Sequence, residues 1–96
     1  MNSEAIAWQS YYKVHREIQE GKQQSHRSHR KMELYADRIT THRREFALRD
    51  VFDMSYRRIG GDIGLLYLHT STGVFSYNVC EDPREFIQHF KSMPFP

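Results

Sequence analysis

The chain has 96 residues, of which 39% are hydrophobic and 14% aromatic, and its formal net charge is +2 with histidine neutral. This length fits one domain with a modest core, and the composition excludes a disordered chain. The charge is unevenly spread, because the stretch 21–32 contains four cations and no acid. We expect a single folded domain over residues 1–96, with residues 1–5 as a flexible tail.

The one cysteine, Cys80, excludes an internal disulfide framework and a cysteine-only metal site. A single cysteine is consistent with a reducing, intracellular compartment. No apolar run approaches the roughly 20 residues of a membrane span. The first residues also lack the cationic start and apolar core of a signal peptide. These features predict a cytoplasmic protein.

The stretch from Ile6 to Ile18 fits two patterns. Apolar side chains recur there at every second position, as in a half-buried strand, but an overlapping set also forms a helical stripe. The β-branched and aromatic residues between Tyr11 and Ile18 favour the strand. The alternative is an N-terminal helix over residues 5–19, which would make the domain α+β.

The next part of the chain reads as short elements separated by turns. Residues 20–22 predict a turn, and the polar residues 23–30 predict either a loop or the solvated start of a strand. Strands are predicted at 31–35, 38–42 and 46–48, with a tight corner at 36–37. Arg43 and Arg44 form a short charged connection between the second and third of these strands.

The stretch from Asp50 to Met93 predicts a three-stranded meander. Phe52, Met54 and Tyr56 alternate with polar residues, which is the period of a strand with one buried face. Turns at 60–62 and 71–73 separate this strand from two further strands at 63–70 and 74–79.

One amphipathic helix follows the meander. Asp82 occupies an N-cap position, Pro83 the first helical position, and the helix runs to about Lys91. Its apolar residues fall on one stripe, which we expect to pack on the sheet. The stripe consists of Phe86, Ile87, Phe90 and Met93.

About seven short strands and one helix predict a mainly β fold, a sandwich or a barrel. The strings Leu34–Ile39, Glu45–Val51 and Leu66–Thr70, followed by the Asp-Pro-capped helix, resemble the bacterial pleckstrin-homology-like (PH-like) proteins. The resemblance covers Met32 to Met93. It implies a curved antiparallel barrel of two near-orthogonal sheets, with the C-terminal helix plugging one open end.

The basic residues are the sharpest chemical feature of the sequence. Guanidinium groups bind phosphate oxygens in bidentate fashion, so a loop rich in arginine could hold an anion. If residues 21–29 form a loop, its cations and those of the 41–44 connection emerge on one rim of the barrel. The candidate anion-binding residues are Lys22, Arg27, Arg30, Lys31, Arg43 and Arg44. The alternative is a solvated surface.

Other motifs predict no further chemistry. His26 and His29 have no cysteine neighbours, so no metal site is expected. The aromatic residues Trp8, Tyr11 and Tyr12 are expected in the core, which makes nucleic acid an unexpected partner. Cys80 could be matched with His69 or His89, but no third residue orients such a pair, and neither an enzyme nor a cofactor is expected.

The sequence therefore predicts a small non-enzymatic binding or scaffolding module that mediates protein–protein contacts. The alternative function is binding of an anionic ligand, a phospholipid headgroup or RNA, through residues 22–31 and 43–44. The expected partner is another protein, with an anionic ligand or a membrane surface second. The sequence does not indicate the oligomeric state.

Overall fold

A computed structural model of the chain describes residues 4–94. Over these residues the protein is mainly β, as predicted, with one α-helix near the C-terminal end. A short 3-10 turn at Leu48–Asp50 precedes the fifth strand. In chain order the elements are β1 (Ala7–Gln19), β2 (Lys22–Leu34), β3 (Arg38–Thr40), β4 (Glu45–Ala47), β5 (Val51–Gly60), β6 (Ile63–Thr70), β7 (Gly73–Val79) and α1 (Arg84–Lys91).

The seven strands form one antiparallel sheet in the order β4-β3-β2-β1-β7-β6-β5. Strands that follow each other in sequence pair as hairpins, except β4 and β5. The two halves are joined where Tyr12 of β1 pairs with Asn78 of β7. The residues 1–5 predicted as a tail are only partly covered, because residues 1–3 lie outside the described part of the chain.

The core lies on one face of this sheet and is closed by α1, which packs against β1 and β5. The predicted helical stripe is confirmed: Phe86, Ile87 and Phe90 are buried, and Met93 packs against the same cluster. The sheet contributes buried side chains from both of its halves. They include Met32, Leu34, Ile39, Met54, Leu66, Leu68 and Val79.

The N-cap residue of α1 is Pro83 and not Asp82, so the predicted capping position is wrong by one residue. Asp82 Oδ1 accepts a hydrogen bond from the backbone N–H of Arg84 at 2.9 Å, and the Arg84 guanidinium also donates to this carboxylate. The helix begins at Arg84, one residue later than predicted. Hydrogen bonds from the Arg84 side chain and backbone lower the pKa of the Asp82 carboxyl below its ordinary value of 3.8.

Residues 7–19 lie in a strand, so the alternative helix at 5–19 is wrong. The polar residues 23–30 also lie in a strand rather than in a loop. Glu20 and Gly21 form the two-residue turn between β1 and β2, with φ of 53° and 75°. Both values are positive, as a type I′ hairpin turn requires.

The prediction that Phe52 shares the buried face of β5 is wrong. Its side chain is 68% exposed, whereas Val51 and Met54 are buried. The pairing of β5 with β6 shifts between Val51 and Asp53, which is the mark of a β-bulge. The extra residue interrupts the alternation and turns Phe52 towards solvent.

The far end of the β1–β2 hairpin extends beyond the core. After Tyr12, β1 pairs only with β2 within the described residues, and β2 meets β3 only at Glu33 and Leu34. We call this two-stranded extension the arm; it comprises residues 13–19 of β1 and 22–28 of β2. The molecule measures 54 × 31 × 24 Å.

The apolar face predicted for β1 is largely solvent-exposed, because it is not the face that covers the core. Trp8, Val14 and Ile18 are 56%, 42% and 79% exposed. Their strand positions face away from Met32 and the core. The prediction that Trp8 lies in the core is therefore wrong, although Tyr11 and Tyr12 are buried as expected.

Candidate functional site: a cationic cleft

A cleft of about 600 Å³ lies where the base of the arm meets the loop between β3 and β4. Its lining, drawn from the described part of the chain, contains no Asp or Glu. We call it the cationic cleft, after its side chains Lys13, Arg30, Arg43 and Arg44, which are joined by His15 and His42.

One wall of the cationic cleft is the core-facing side of the β1–β2 hairpin. Tyr11 and Arg30 are directly opposite each other on the two strands, and Lys13 follows Tyr11 on the same face. The Arg30 Nη1 donates a hydrogen bond to the carbonyl of His29 at 3.3 Å. Within residues 4–94, Arg30 Nε is a buried side-chain atom without a hydrogen-bond partner. A buried donor of this kind gains free energy when an acceptor reaches it.

The other wall is the loop between β3 and β4, which is held in a fixed conformation. The Thr41 N–H donates to the Arg44 carbonyl at 2.8 Å, and the Arg44 N–H donates back to Thr41 Oγ1 at 3.0 Å. The His42 N–H donates to the Tyr11 hydroxyl at 2.9 Å, which ties the loop to β1. These bonds hold the loop, and Arg43 within it, at the edge of the cleft.

The interior of the cationic cleft is aromatic. Tyr11 and Tyr77 contact edge to face, with ring centroids 5.0 Å apart. Burial raises the pKa of the Tyr77 phenol, so this group is a neutral hydroxyl at physiological pH. The Arg44 guanidinium lies over the ring of Phe75, 4.7 Å from its centroid, and this contact restricts the side chain. This contact therefore holds the positive charge of Arg44 in a restricted position.

This arrangement suits an anion. Several cations surround one concavity without a carboxylate to neutralise them, so they raise the local potential above what a net charge of +2 implies. Guanidinium groups also offer paired donors that match the oxygens of phosphate or carboxylate. No group of three or more His, Cys, Asp or Glu side chains is placed to hold a metal ion in residues 4–94.

The structure brings three of the six predicted site residues together and separates the other three. Arg30, Arg43 and Arg44 line the cationic cleft. Lys22 lies at the far end of the arm, opposite Gln19.

Arg27 and Lys31 lie on the opposite face of β2, where they cover aromatic rings. The Arg27 guanidinium is 4.6 Å from the ring centroid of Tyr12, and Lys31 Nζ is 4.7 Å from that of Trp8. The prediction of one converging set assumed a loop at residues 21–29, and that assumption is wrong. A strand directs alternate side chains to opposite faces and so divides the basic run.

Sequence reasoning missed Lys13, His15 and His42. The alternation around Tyr12 and Val14 did place Lys13 and His15 together on one face of β1. That face was expected to be open to solvent, because the more apolar face of β1 was expected to cover the core. The sequence contains no signal for which face of an extended hairpin turns towards a neighbouring loop.

The residues considered for catalysis lie elsewhere. Cys80 is half-buried and lines a shallow depression with Arg58, Asp82 and Arg84. His69 hydrogen-bonds through Nε2 to the hydroxyl of Ser55 at 2.8 Å.

None of the α-helical residues in the described range forms a stretch long and apolar enough to cross a membrane. No protein-family model, curated protein or solved structure matches the chain.

Proposed function

We propose that the protein is a small, non-enzymatic binding module that holds an anionic ligand in the cationic cleft. The observation that carries this proposal is the grouping of Lys13, Arg30, Arg43 and Arg44 around one concavity without a carboxylate. The unpartnered Nε of Arg30 adds a donor that such a ligand would satisfy. The ligand chemistry is a phosphate group, carried by a phospholipid headgroup, by RNA or by a small molecule.

A relationship to the bacterial PH-like proteins and a cytoplasmic location belong to the same proposal. The strand order and the C-terminal helix are consistent with the curved barrel that the resemblance implies. The single half-buried cysteine is typical of a reducing compartment.

Replacing Arg43 should identify the cationic cleft as the site. Arg43 is exposed, so Arg43→Gln removes a cation without disturbing the core. A charge-assisted hydrogen bond contributes about 1.5–3 kcal/mol, so we expect phosphate binding to weaken at least about tenfold. Nuclear magnetic resonance titration with inorganic phosphate, sulfate, anionic lipid micelles and a short RNA measures this and compares the ligand sources.

The matched control is Arg57→Gln, an exposed arginine on β5 that does not line the cleft. Its titration should equal that of the unmodified protein, and chemical-shift changes should concentrate at residues 11–15, 30 and 41–44. Binding should also weaken with ionic strength. Equal losses in the two variants, or shifts scattered over the surface, would show that the cations act only as a solubilising surface.

Contact with another protein is a second candidate function, favoured by the arm. Among the described residues, the strands of the arm have no neighbour on their outer edges, and Ile18 is 79% exposed. A free edge can accept an extended partner segment through backbone hydrogen bonds. Edge pairing should resist added salt, so affinity capture from native extract at two salt concentrations separates it from phosphate-driven binding. If the captured proteins are released at high salt, the result contradicts edge pairing.

A further inference from the structure

The outer edge of β1 is the best-defined unpaired surface of the protein. Over Lys13–Gln19 the strand is bonded to β2 on one side and, among residues 4–94, has no strand on the other. Two exposed aliphatic side chains, Val14 and Ile18, lie on this stretch. An exposed edge with aliphatic side chains is a template for a further strand.

The hairpin turn determines which backbone groups face this edge. In a type I′ turn at Glu20 and Gly21, the Lys22 N–H donates to the Gln19 carbonyl, so these two residues form a hydrogen-bonded pair. Hydrogen-bonded and non-hydrogen-bonded pairs alternate along an antiparallel ladder. The N–H and C=O groups of Val14, Arg16 and Ile18 therefore point outward.

We propose that a second copy of this chain pairs with the edge, its β1 antiparallel to the first and the two-fold axis at Arg16. The inference rests on the second proposed function and names its partner. Val14 of each copy then lies opposite Ile18 of the other, and His15 lies opposite Glu17. The outward groups of three residues on each strand complete about six backbone hydrogen bonds.

The register of the two β1 strands follows from two-fold symmetry and from the pairing that Tyr12 already makes with β7. In a two-fold antiparallel pair the same patch meets itself, and equal faces must match across the contact. An axis at His15 or Glu17 would place Arg16 opposite Val14 or Ile18, so it would not bring the two aliphatic side chains together. An axis at Val14 would place Tyr12 in the new contact, but Tyr12 already pairs with Asn78. An axis at Ile18 would leave Val14 unpaired, so Arg16 remains.

The length of the free edge fits this arrangement. The pairing of β1 with β7 is at Tyr12, and the arm turns at Glu20. In the proposed register Tyr12 of one copy lies opposite Glu20 of the other. The arm of each copy therefore ends where the β1–β7 pairing of the other copy begins, and the two arms lie side by side.

The side chains across the proposed contact are complementary except at its centre. Val14 of each copy packs beside Ile18 of the other, and Glu17 of each copy lies opposite the imidazole of His15. At the axis, Arg16 meets Arg16, and like charges directly opposite each other destabilise a strand pair. We therefore infer a reversible dimer whose affinity is limited by this one residue.

Sedimentation equilibrium of the full chain over a wide concentration range tests the proposal. The unmodified protein should show a monomer–dimer equilibrium. Arg16→Thr should tighten it about tenfold by removing the repulsion at the axis, and Ile18→Ser should weaken it about tenfold by removing both aliphatic pairs. A protein that remains monomeric at every concentration, with Arg16→Thr included, overturns the proposal.

Two proline variants distinguish the edge from the stability of the arm. Arg16→Pro removes an outward N–H at the axis and should abolish the dimer. Ser25→Pro is the matched control, because Ser25 is directly opposite Arg16 and its outward groups lie on the β2 edge. It should leave the dimer unchanged. Equal loss in both variants overturns the assignment to the β1 edge.

Cross-linking tests the register without relying on affinity. In a Cys80→Ser background, Arg16→Cys should form a disulfide with its own copy, because Cα atoms of a hydrogen-bonded pair are about 5.5 Å apart. Ser25→Cys should not. Equal cross-linking of both overturns the register. Capture of other proteins through the arm without self-association overturns the second copy as partner. The phosphate titration of Arg43→Gln tests the cleft separately, because Arg43 lies on the loop between β3 and β4 and not on β1.

Discussion

Phe90→Ala is expected to lower the free energy of unfolding by about 3–5 kcal/mol, the cost of truncating a fully buried phenylalanine. Phe90 is 2% exposed and belongs to the core cluster with Phe86 and Ile87. The ring lies on the stripe of α1 that packs against the sheet, so its loss leaves a cavity at the junction between helix and strands. Urea denaturation followed by circular dichroism measures the change.

Gln88→Ala is the control for this variant. Gln88 lies two residues away on the same helix, its side chain is exposed, and alanine is the better helix former. The unfolding free energy of this variant should stay within about 0.5 kcal/mol of the parent. If the two variants unfold at the same urea concentration, then α1 does not pack against the sheet as described.

The elements that the sequence predicted correctly are specified by residues close together in the chain. The β6 strand, its flanking turns and the helix that follows Pro83 each depend on one local pattern, and each occurs within a residue or two of its predicted position. The bulge at Phe52 depends instead on a shift in pairing with β6, which no pattern within β5 records. The same period of two that identified the strand gave the wrong orientation for this side chain.

The arm was difficult to predict because its strands lie outside the core. Residues 23–30 are polar on both faces, which is typical of loops, yet the turn at Gly21 and the partner strand β1 make them a strand. The two strands have 13 residues each and pair with each other along their full length. The hydrogen bonds between them therefore stabilise backbone segments that lie outside the core. Three of the six candidate residues lie away from the cleft because residues 22–31 lie in a strand. Lys22 lies at the far end of the arm, and Arg27 and Lys31 lie on the face of β2 opposite Arg30.

Gly64→Ala should destabilise the protein by about 1–3 kcal/mol, as overpacking in a close-packed interior does. Gly64 is buried in β6, and a methyl group there would overlap Cε1 of Tyr56 and lie 3.1 Å from the carbonyl oxygen of Arg57. Tyr56 packs against the core cluster, so its ring cannot move away freely. The tyrosine covers the glycine across the β5–β6 pair, an arrangement that compensates for the missing side chain in a strand.

Two comparisons separate this overlap from a general effect of glycine. Gly60→Ala introduces a methyl group with no atom within 4 Å, and the φ of Gly60 lies outside the left-handed region, so the unfolding free energy should change by less than about 0.5 kcal/mol. In a Tyr56→Ala background, Gly64→Ala should cost less than in the parent, because the ring that it strikes is gone. The remaining cost then reflects the Arg57 carbonyl. Equal costs in the two backgrounds would show that Tyr56 does not cover Gly64.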